Sequence, residues 1–352
     1  MKLLIRADAN KDIAMGHVMR CLSIADAFSD LGWDVVWVQA SDDSKELINN
    51  RGYETIILNT DYRDMMSEFD IFNGFTADLI LIDSYFVTNE YFKRMRNFGP
   101  TAYMDDFGKD AFLTDILINY NLYAGSIDYE ALYAKQSSKL PIMLLGTSYV
   151  PLRRFYKSAQ PKALTCTPPF NVLVSTGGAD ACHMAVNIAR RFTSGQNETL
   201  FNQVVLNILV GPFSTDNKEL EQISSKYPTK VILHRNITQM ADFLSKFDMA
   251  VSASGSTTYE LCAMGVPTVL FASADNQYMN LNSAKENGLI ATAGFANIDL
   301  NSTIDCIFEW FEKICANPSI LASLRKDALS VCDAKGAERL ASELANSVAS
   351  RL

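Results

Sequence analysis

The 352-residue chain has only three histidines and no C-x-x-C motif, which leaves few of the usual ligands of a metal site. Its seven cysteines are odd in number and scattered, a pattern typical of reduced cysteine and not of a disulfide framework. They are Cys21, Cys166, Cys182, Cys262, Cys306, Cys315 and Cys332. No apolar run approaches the ~18 residues of a membrane span, and the N-terminus enters a predicted strand without a signal peptide. We therefore expect a cytoplasmic protein that uses neither a metal nor a cofactor.

Basic runs are also missing, and the net charge is -9, from 31 basic and 40 acidic residues. This balance argues against nucleic acid or an anionic membrane as the main partner. An anionic small molecule is still compatible, because helix N-termini and a few local cations can bind it without a basic surface. The apolar fraction of 48% and the charged fraction of 20% are those of an ordinary soluble globular protein, which we expect to be a monomer.

The length exceeds what one hydrophobic core usually covers, so two domains are expected. Apolar strands alternate with helical patterns, such as 17–31, in the first half, and near-continuous apolar strands favour a parallel sheet buried on both faces. The predicted strands there are 2–6, 33–38, 55–58, 79–83, 102–104, 116–119 and 142–145.

A polar, proline-bearing segment at 153–169 is a predicted interdomain linker. The alternation then restarts, with a helix at 180–192 and a helical tail from 303 to 352. The predicted strands of this half are 170–175, 204–210, 230–233, 249–252 and 268–271. The fold class is therefore α/β, with two doubly wound Rossmann-like domains facing a cleft. We assign 1–152 to an N-terminal sugar-binding catalytic domain and 170–352 to a C-terminal nucleotide-binding domain that includes the tail.

The most informative stretch runs from Arg6 to Leu22, where an apolar strand turns into an amphipathic helix at Gly16 and His17. In an open parallel sheet such a turn lies at the carboxyl edge, where ligands bind. The positive end of the helix dipole disfavours the imidazolium form of His17, and a neutral imidazole can accept a proton from water near pH 7. His17 is thus a candidate general base, and simple solvation of a loop is the alternative. Arg20 could contact a phosphate or a sugar carboxamide, or be an ordinary helix-surface arginine.

Polar residues also follow three further strands of the first half, at 83–85, 103–106 and 119–124. Such residues are expected to converge opposite His17, which makes Tyr85, Asp106 and Asn121 candidates for substrate binding. Asp105 and Asp106 are adjacent on a strand and point apart, so they are not expected to form an acid–base dyad. One would orient the substrate or His17, while the other caps the next segment. For each of these residues, solvation of a loop is the alternative.

In the second half, small and hydroxyl residues follow two strands. Gly177 and Gly178 would let a ligand approach the backbone closely. Glycine pairs are, however, also common in turns that bind no ligand. Ser256 and Thr257 would begin a helix whose exposed amides suit a pyrophosphate. Glu260, one turn later, could accept both hydroxyls of a ribose, or could complete a capping box with Thr257.

Two other loops of the second half belong to the same predicted rim. The loop with Ile237 could offer backbone groups to a base edge, and the loop with Asn276 could bind sugar or phosphate. His183 is expected to be structural or exposed, and His234 is given no catalytic role. Together the loops favour a nucleotide diphosphate pocket.

These residues match the motifs of a known family over roughly 2–286. The chain resembles the UDP-2,4-diacetamido-2,4,6-trideoxy-β-L-altropyranose hydrolases of pseudaminic acid synthesis, which are nonulosonic acid enzymes similar to the lipid II-forming N-acetylglucosaminyltransferase. Ala14 stands where that family usually has glycine. The matching motifs are Arg6-x-Asp8, Gly16-His17-x-x-Arg20-Cys21-Leu22, Asp105-Asp106, Asn119-x-Asn121-x-Tyr123, Gly177-Gly178-x-Asp180 and the segment 254–267.

The resemblance implies a glycosyltransferase-B architecture, UDP held by the C-terminal domain and the amino sugar presented to the N-terminal domain. His17 would activate water, Glu260 would hold the ribose, and the start of the helix at Ser256 and Thr257 would hold the phosphates. The loop at Ile237 would hold the uracil. The predicted activity is metal-independent hydrolysis of a UDP-linked diacetamido deoxysugar. The alternatives are a UDP-sugar-dependent glycosyltransferase, a non-catalytic sugar-nucleotide sensor and a bifunctional hydrolase and 2-epimerase.

Overall fold

The computed structural model describes residues 1–10, 13, 15–71, 75–136, 138–164 and 167–349. The chain divides into two compact units. The first unit contains Met1–Arg154 and Ala334–Leu352, and the second unit is Phe155–Asp333. Ala14 and Cys166 lie outside the described residues.

The first unit is built on a seven-stranded parallel sheet with the order β3-β2-β1-β4-β5-β6-β7. Its strands are β1 (Lys2–Ala7), β2 (Asp34–Gln39), β3 (Glu54–Ile57), β4 (Leu79–Asp83), β5 (Thr101–Met104), β6 (Ile116–Asn119) and β7 (Ile142–Leu145). Among the described residues, the α-helices of this unit before the boundary are α1 (Gly16–Asp30), α2 (Lys45–Asn49), α3 (Asn89–Met95) and α4 (Tyr129–Lys135). The order reverses between β1 and β4, so a crevice is expected at their carboxyl ends.

Burial follows the apolar pattern of the sequence. All five residues of β4 are buried, which is why this strand lies in the middle of the sheet. Helix α1 buries one stripe that includes Val18, Leu22 and Phe28 against β1 and β2. Each such large side chain contributes roughly 1.5–3 kcal/mol by leaving water. This packing fixes the helix start, and therefore His17, beside the end of β4.

The second unit repeats the same plan with six parallel strands in the order β10-β9-β8-β11-β12-β13. The strands are β8 (Phe170–Ser175), β9 (Val204–Leu209), β10 (Val231–His234), β11 (Met249–Ala253), β12 (Thr268–Ala272) and β13 (Ala291–Phe295). The helices are α5 (Phe155–Ser158), α6 (Met184–Phe192), α7 (Glu198–Gln203), α8 (Asn217–Lys226), α9 (Met240–Leu244), α10 (Thr257–Ala263), α11 (Tyr278–Asn287), α12 (Leu300–Ala316) and α13 (Ile320–Val331). The order reverses between β8 and β11, again at the carboxyl edge. The prediction of two doubly wound α/β sheets is confirmed.

The last helix, α14 (Gly336–Ala349), belongs to the first unit, not to the second domain in which the sequence analysis placed the tail. It packs against α1 with a buried face that includes Leu340 and Leu344. Gly336 permits this contact, because a Cβ there would lie 2.2 Å from the carbonyl oxygen of Val150. The placement of α14 was mispredicted because an amphipathic face shows that a helix is partly buried but does not show which element it packs against.

Two other details differ from the sequence analysis. The helix predicted from residue 180 begins at Met184, because the Asp180 carboxylate accepts the amides of Met184 and Ala185 and so caps the helix. Strand β13 was not predicted, since its sequence is short, includes Gly294 and is mostly half-buried. In the ranges that the structure describes, no helix is long and apolar enough to cross a bilayer.

Candidate functional site

Both predicted sites lie where the strand order reverses. In the first unit, the helix bearing His17 follows β1, and the neighbouring strand β4 ends at Asp83. In the second unit, Gly177 follows β8 and Ser256 follows β11. Ligands of open α/β sheets bind in the crevice at such points. The topology therefore gives each unit one favoured edge for a ligand.

The imidazole of His17 is held by the end of β4. Its Nδ1 lies 3.0 Å from Oδ1 of Asp83 and 3.2 Å from the carbonyl oxygen of the same residue. The ring of Tyr85 packs edge-on against it, with centroids 4.5 Å apart. His17 is only 5% exposed, so the ring is more enclosed than the open position that the sequence suggested. No described residue hydrogen-bonds Nε2, which leaves this nitrogen as the candidate reactive atom.

The protonation of His17 differs from the expectation based on the helix dipole. Burial lowers the pKa of the imidazole, but the charge and hydrogen bonds of Asp83 outweigh burial, and the pKa is raised above 6.5. The prediction of a depressed pKa was therefore wrong. A carboxylate at 3.0 Å has a stronger effect than the partial charge of a helix terminus.

Asp83 is a buried carboxylate that was expected opposite His17 among the polar residues at 83–85, but no role was predicted for it. Burial would raise its pKa, but Arg20 and His17 outweigh burial and hold the pKa well below its usual range. Asp83 therefore stays charged, and as an acceptor it favours the tautomer of His17 with a proton on Nδ1. Its position at the end of a buried strand that neighbours β1 was the feature of the sequence that could have indicated a contact with His17.

Arg20 joins Asp83 to Asp106. Its side chain is 10% exposed, and its guanidinium donates to Asp83, to Asp106 and to the hydroxyl of Tyr120. These partners differ from the phosphate or carboxamide suggested by the sequence. Asp106 also accepts from the hydroxyl of Tyr85 at 2.9 Å and from Nδ2 of Asn121 at 3.2 Å. The structure thus brings the predicted side chains His17, Arg20, Tyr85, Asp106 and Asn121 into one network, in which Tyr85 is the exposed member.

Asp105 points away from this network. Its carboxylate accepts the amides of Phe107 and Gly108, each at 3.0 Å, and the hydroxyl of Tyr129 at 2.9 Å. Burial raises the pKa of Asp105, although those hydrogen bonds oppose the increase. Asp105 therefore fixes the turn after β5, while Asp106 faces Arg20, as expected of adjacent residues that point apart.

The Gly177–Gly178 turn in the second unit is exposed and closely backed by the next loop. A Cβ on Gly211 would lie 2.3 Å from the carbonyl oxygens of both Gly177 and Gly178, so the loop after β9 needs glycine at that position. Gly177 has φ of 87°, a left-handed conformation that favours glycine. The amide of Phe213 donates to the carbonyl of Gly178 at 2.9 Å. The turn is therefore rigidly supported at the carboxyl edge.

The start of α10 after β11 differs from a capping box in which Thr257 would be the N-cap. The N-cap is Ser256, its side chain makes no cap hydrogen bond, and Thr257 is already the first helical residue. In the described part of the chain, the buried hydroxyls of Ser254 and Thr258 lack hydrogen-bond partners. Buried hydroxyls are normally paired, so this loop has unused capacity for a polar ligand.

The remaining predicted residues follow other strands of the same sheet. Ile237 is half-buried in the loop after β10, and Asn276 is exposed after β12. His183 is the exposed, left-handed N-cap of α6 and pairs with Asp216, while His234 contacts Asn207. Over the described residues, no cluster of three or more His, Cys, Asp or Glu is placed to hold a metal ion.

No family model matches the chain. Three curated proteins are distantly similar. A UDP-2,4-diacetamido-2,4,6-trideoxy-β-L-altropyranose hydrolase of Campylobacter jejuni is 22% identical over 72% of this chain and 86% of its own length. The spore coat polysaccharide biosynthesis protein SpsG of Bacillus subtilis is 20% identical over 97% of this chain and 96% of its own. An uncharacterized protein of Methanocaldococcus jannaschii is 22% identical over 77% of this chain, which spans about half (55%) of that protein.

Solved structures give a closer match in shape than in sequence. MurG of Acinetobacter baumannii superposes with a TM-score of 0.65 at 13% identity, covering 98% of this chain and 100% of that one. The glycosyltransferase of kitacinnamycin superposes with a TM-score of 0.67 at 14% identity, covering 98% of each chain. The chain therefore has the glycosyltransferase-B fold.

Proposed function

We propose that the protein hydrolyses a UDP-linked 2,4-diacetamido-2,4,6-trideoxy sugar to UDP and the free sugar, in the cytoplasm and as a monomer. The second unit would bind UDP, and the first unit would supply the base. The observation that carries the proposal is the hydrogen bond from Nδ1 of His17 to Asp83, which leaves Nε2 as the basic nitrogen. The named Campylobacter relative supports this choice of substrate.

In the proposed reaction, Nε2 of His17 takes a proton from a water molecule. The water oxygen forms a bond to the anomeric carbon, and the bond from that carbon to the diphosphate oxygen breaks. The electron pair leaves on UDP, and the proton on Nε2 is later released to solvent. A general base contributes about 10²–10⁴-fold, and the raised pKa of His17 makes it a stronger base than free histidine. UDP is a good leaving group, so this step needs no metal.

The carboxyl edge of the second sheet suits the nucleotide. The Gly177–Gly178 turn would let the diphosphate approach the backbone, and Ser256 and Thr257 would present hydroxyls and helix-start amides to it. The unpaired hydroxyls of Ser254 and Thr258 support a polar ligand at this loop. We assign the ribose to Glu260, the uracil to the Ile237 loop and further polar contacts to Asn276.

The sugar is assigned to the first unit. Tyr85 is 45% exposed beside His17, and its hydroxyl donates to Asp106, which Asn121 also contacts. The hydroxyl oxygen of Tyr85 can still accept a hydrogen bond from an acetamido N–H or a hydroxyl group of the sugar. Gly16 leaves the start of α1 open, since a Cβ there would meet no atom within 4 Å.

The test is to incubate the purified protein with UDP-diacetamido sugars in ¹⁸O-labelled water, with no acceptor present. The proposal predicts repeated turnover, insensitive to chelators, with label on the sugar. Label on UDP would contradict attack at the anomeric carbon. Stoichiometric binding of the UDP-sugar without turnover would indicate a sensor and overturn the proposal.

A glycosyltransferase is the second candidate, because the solved proteins that share the fold include glycosyltransferases. A transferase would consume the UDP-sugar slowly in water and much faster when an acceptor is added. Rapid consumption in water alone would therefore favour hydrolysis over transfer.

A further inference from the structure

The guanidinium of Arg20 is fully occupied within the first unit. Nε donates to Oδ2 of Asp83 and Nη2 to Oδ1, both at 2.6 Å. Nη1 and Nη2 donate to the two oxygens of Asp106 at 2.9 Å, and Nη1 also donates to Tyr120 at 2.9 Å. An arginine has five N–H donors, and these five hydrogen bonds use all of them. Arg20 therefore has no donor left for a phosphate or a sugar.

Asp83 is in turn fixed from several directions. Oδ1 receives Nη2 of Arg20 and lies 3.0 Å from Nδ1 of His17. Oδ2 receives Nε of Arg20 and, at 3.4 Å, the thiol of Cys21. Arg20 is the only one of these donors that bonds both oxygens, so it sets the orientation of the carboxylate plane. That plane decides where Oδ1 lies relative to His17.

We propose that Arg20 is a positioning residue that aims Asp83 at His17 and ties it to Asp106, rather than a residue that binds substrate. This inference rests on the proposed role of His17 as the base. Its physical basis is the planar, bidentate fork of arginine, which holds two carboxylates in a fixed geometry as an ammonium group cannot.

The charged and titratable groups around His17 determine how its pKa should respond to a substitution of Arg20. Asp83 on β4 raises the pKa of His17, while Arg20 on α1 lowers it, and Tyr85 packs on the ring from the loop after β4. Asp106 after β5 contacts Arg20 and Tyr85. Replacing Arg20 by lysine keeps a positive charge at this position but loses the fork that orients Asp83, so the contact of Asp83 with His17 should weaken. The pKa of His17 should therefore fall in Arg20→Lys.

The test compares Arg20→Met and Arg20→Lys with the unmodified protein. The His17 imidazole is titrated by NMR in the full chain, with its signals assigned from a His17→Asn variant. For Arg20→Lys we expect a lower pKa of His17 and a kcat reduced by roughly 10–100-fold, because the base is misaligned, with KM changed less than about threefold. Arg20→Met, which also loses the charge, should have a kcat no higher than that of Arg20→Lys.

The matched control is Arg6→Lys, since Arg6 is also a buried arginine that bridges two carboxylates, those of Asp8 and Glu68. Neither partner contacts His17, so this variant should lose stability without moving the pKa of His17. An unchanged or raised pKa of His17 in Arg20→Lys, or a raised KM with kcat unaffected in either variant, would overturn the inference. A kcat of Arg20→Lys equal to that of the unmodified protein would also overturn it.

The NMR result does not depend on activity. A protein that fails to hydrolyse UDP-sugars, yet shows the expected pKa change, would refute the proposed function and leave the positioning of His17 by Arg20 in place. A protein that hydrolyses them, with no pKa change in Arg20→Lys, would refute only the role of Arg20.

Discussion

Replacing Asp83 by Asn tests whether Asp83 raises the pKa of His17 and fixes its tautomer. The carboxylate accepts two hydrogen bonds from Arg20, one from His17 and one from Cys21. Asparagine keeps the shape of the Asp83 side chain but removes its charge. Its NH₂ group would also face an N–H donor of Arg20, with which it cannot form a hydrogen bond. Removing one partner of a buried ion pair costs about 3–5 kcal/mol. Asp106 remains as a partner of Arg20, so we expect a loss near the lower value.

The same change should alter the titration of His17. Without the charge of Asp83, burial and Arg20 both lower the pKa of His17, which should then fall below its ordinary value of about 6.5. Loss of the fixed tautomer should lower kcat by roughly 10²–10⁴-fold.

The assays are urea unfolding, NMR titration of His17 and turnover of a UDP-diacetamido sugar. Because the pKa of Asp83 is depressed in the folded state, its stabilisation is present above its unfolded pKa of about 3.9 and is lost as the pH falls. The difference in the free energy of unfolding between the two proteins should therefore shrink below about pH 4.

Asp105→Asn is the matched control, because Asp105 is equally buried but its carboxylate bonds Tyr129 and the next turn instead of Arg20 and His17. It should destabilise the protein and leave the titration of His17 unchanged. The reasoning is refuted if Asp83→Asn leaves the pKa of His17 raised, or if both variants change kcat equally.

Three further outcomes can be measured. The kcat/KM of the unmodified protein should fall with decreasing pH through a midpoint above 6.5, since the pKa of His17 is raised, and a midpoint below 6 would contradict this. Gly211→Ala should weaken UDP binding in calorimetry, because its Cβ would displace the Gly177–Gly178 turn, and unchanged binding would remove that turn from the site. Leu344→Ala should lower the free energy of unfolding by about 2–5 kcal/mol, since Leu344 is fully buried in the first unit, and a neutral result would contradict the packing of α14.

The alternation of strands and helices could be predicted because parallel strands buried on both faces leave apolar runs in the sequence. The strand Leu79–Asp83 was predicted with its observed bounds for this reason. The packing of α14 on α1 could not be predicted, since the residues are some 300 positions apart and an apolar stripe does not name its partner. Asp180 misled the prediction of a helix start, because its carboxylate accepts the amides of Met184 and Ala185 from outside the helix.

The candidate site could be predicted as a set of residues but not as a network. His17, Arg20, Tyr85, Asp106 and Asn121 do lie together, because each follows a strand end or begins the helix next to one. The role of Asp83 was missed, since a carboxylate at a strand end resembles one that solvates a loop. The sign of the His17 pKa shift required the 3.0 Å distance to Asp83, which no spacing in the sequence gives.

The most direct test of the account is the turnover of a UDP-diacetamido sugar by His17→Asn, measured beside the UDP affinity of the same variant. We expect a kcat reduced by about 10²–10⁴-fold with UDP affinity unchanged, because the base lies in the first unit and the nucleotide is assigned to the second. Near-normal turnover by a folded His17→Asn protein would contradict the central claim that this imidazole activates the attacking water.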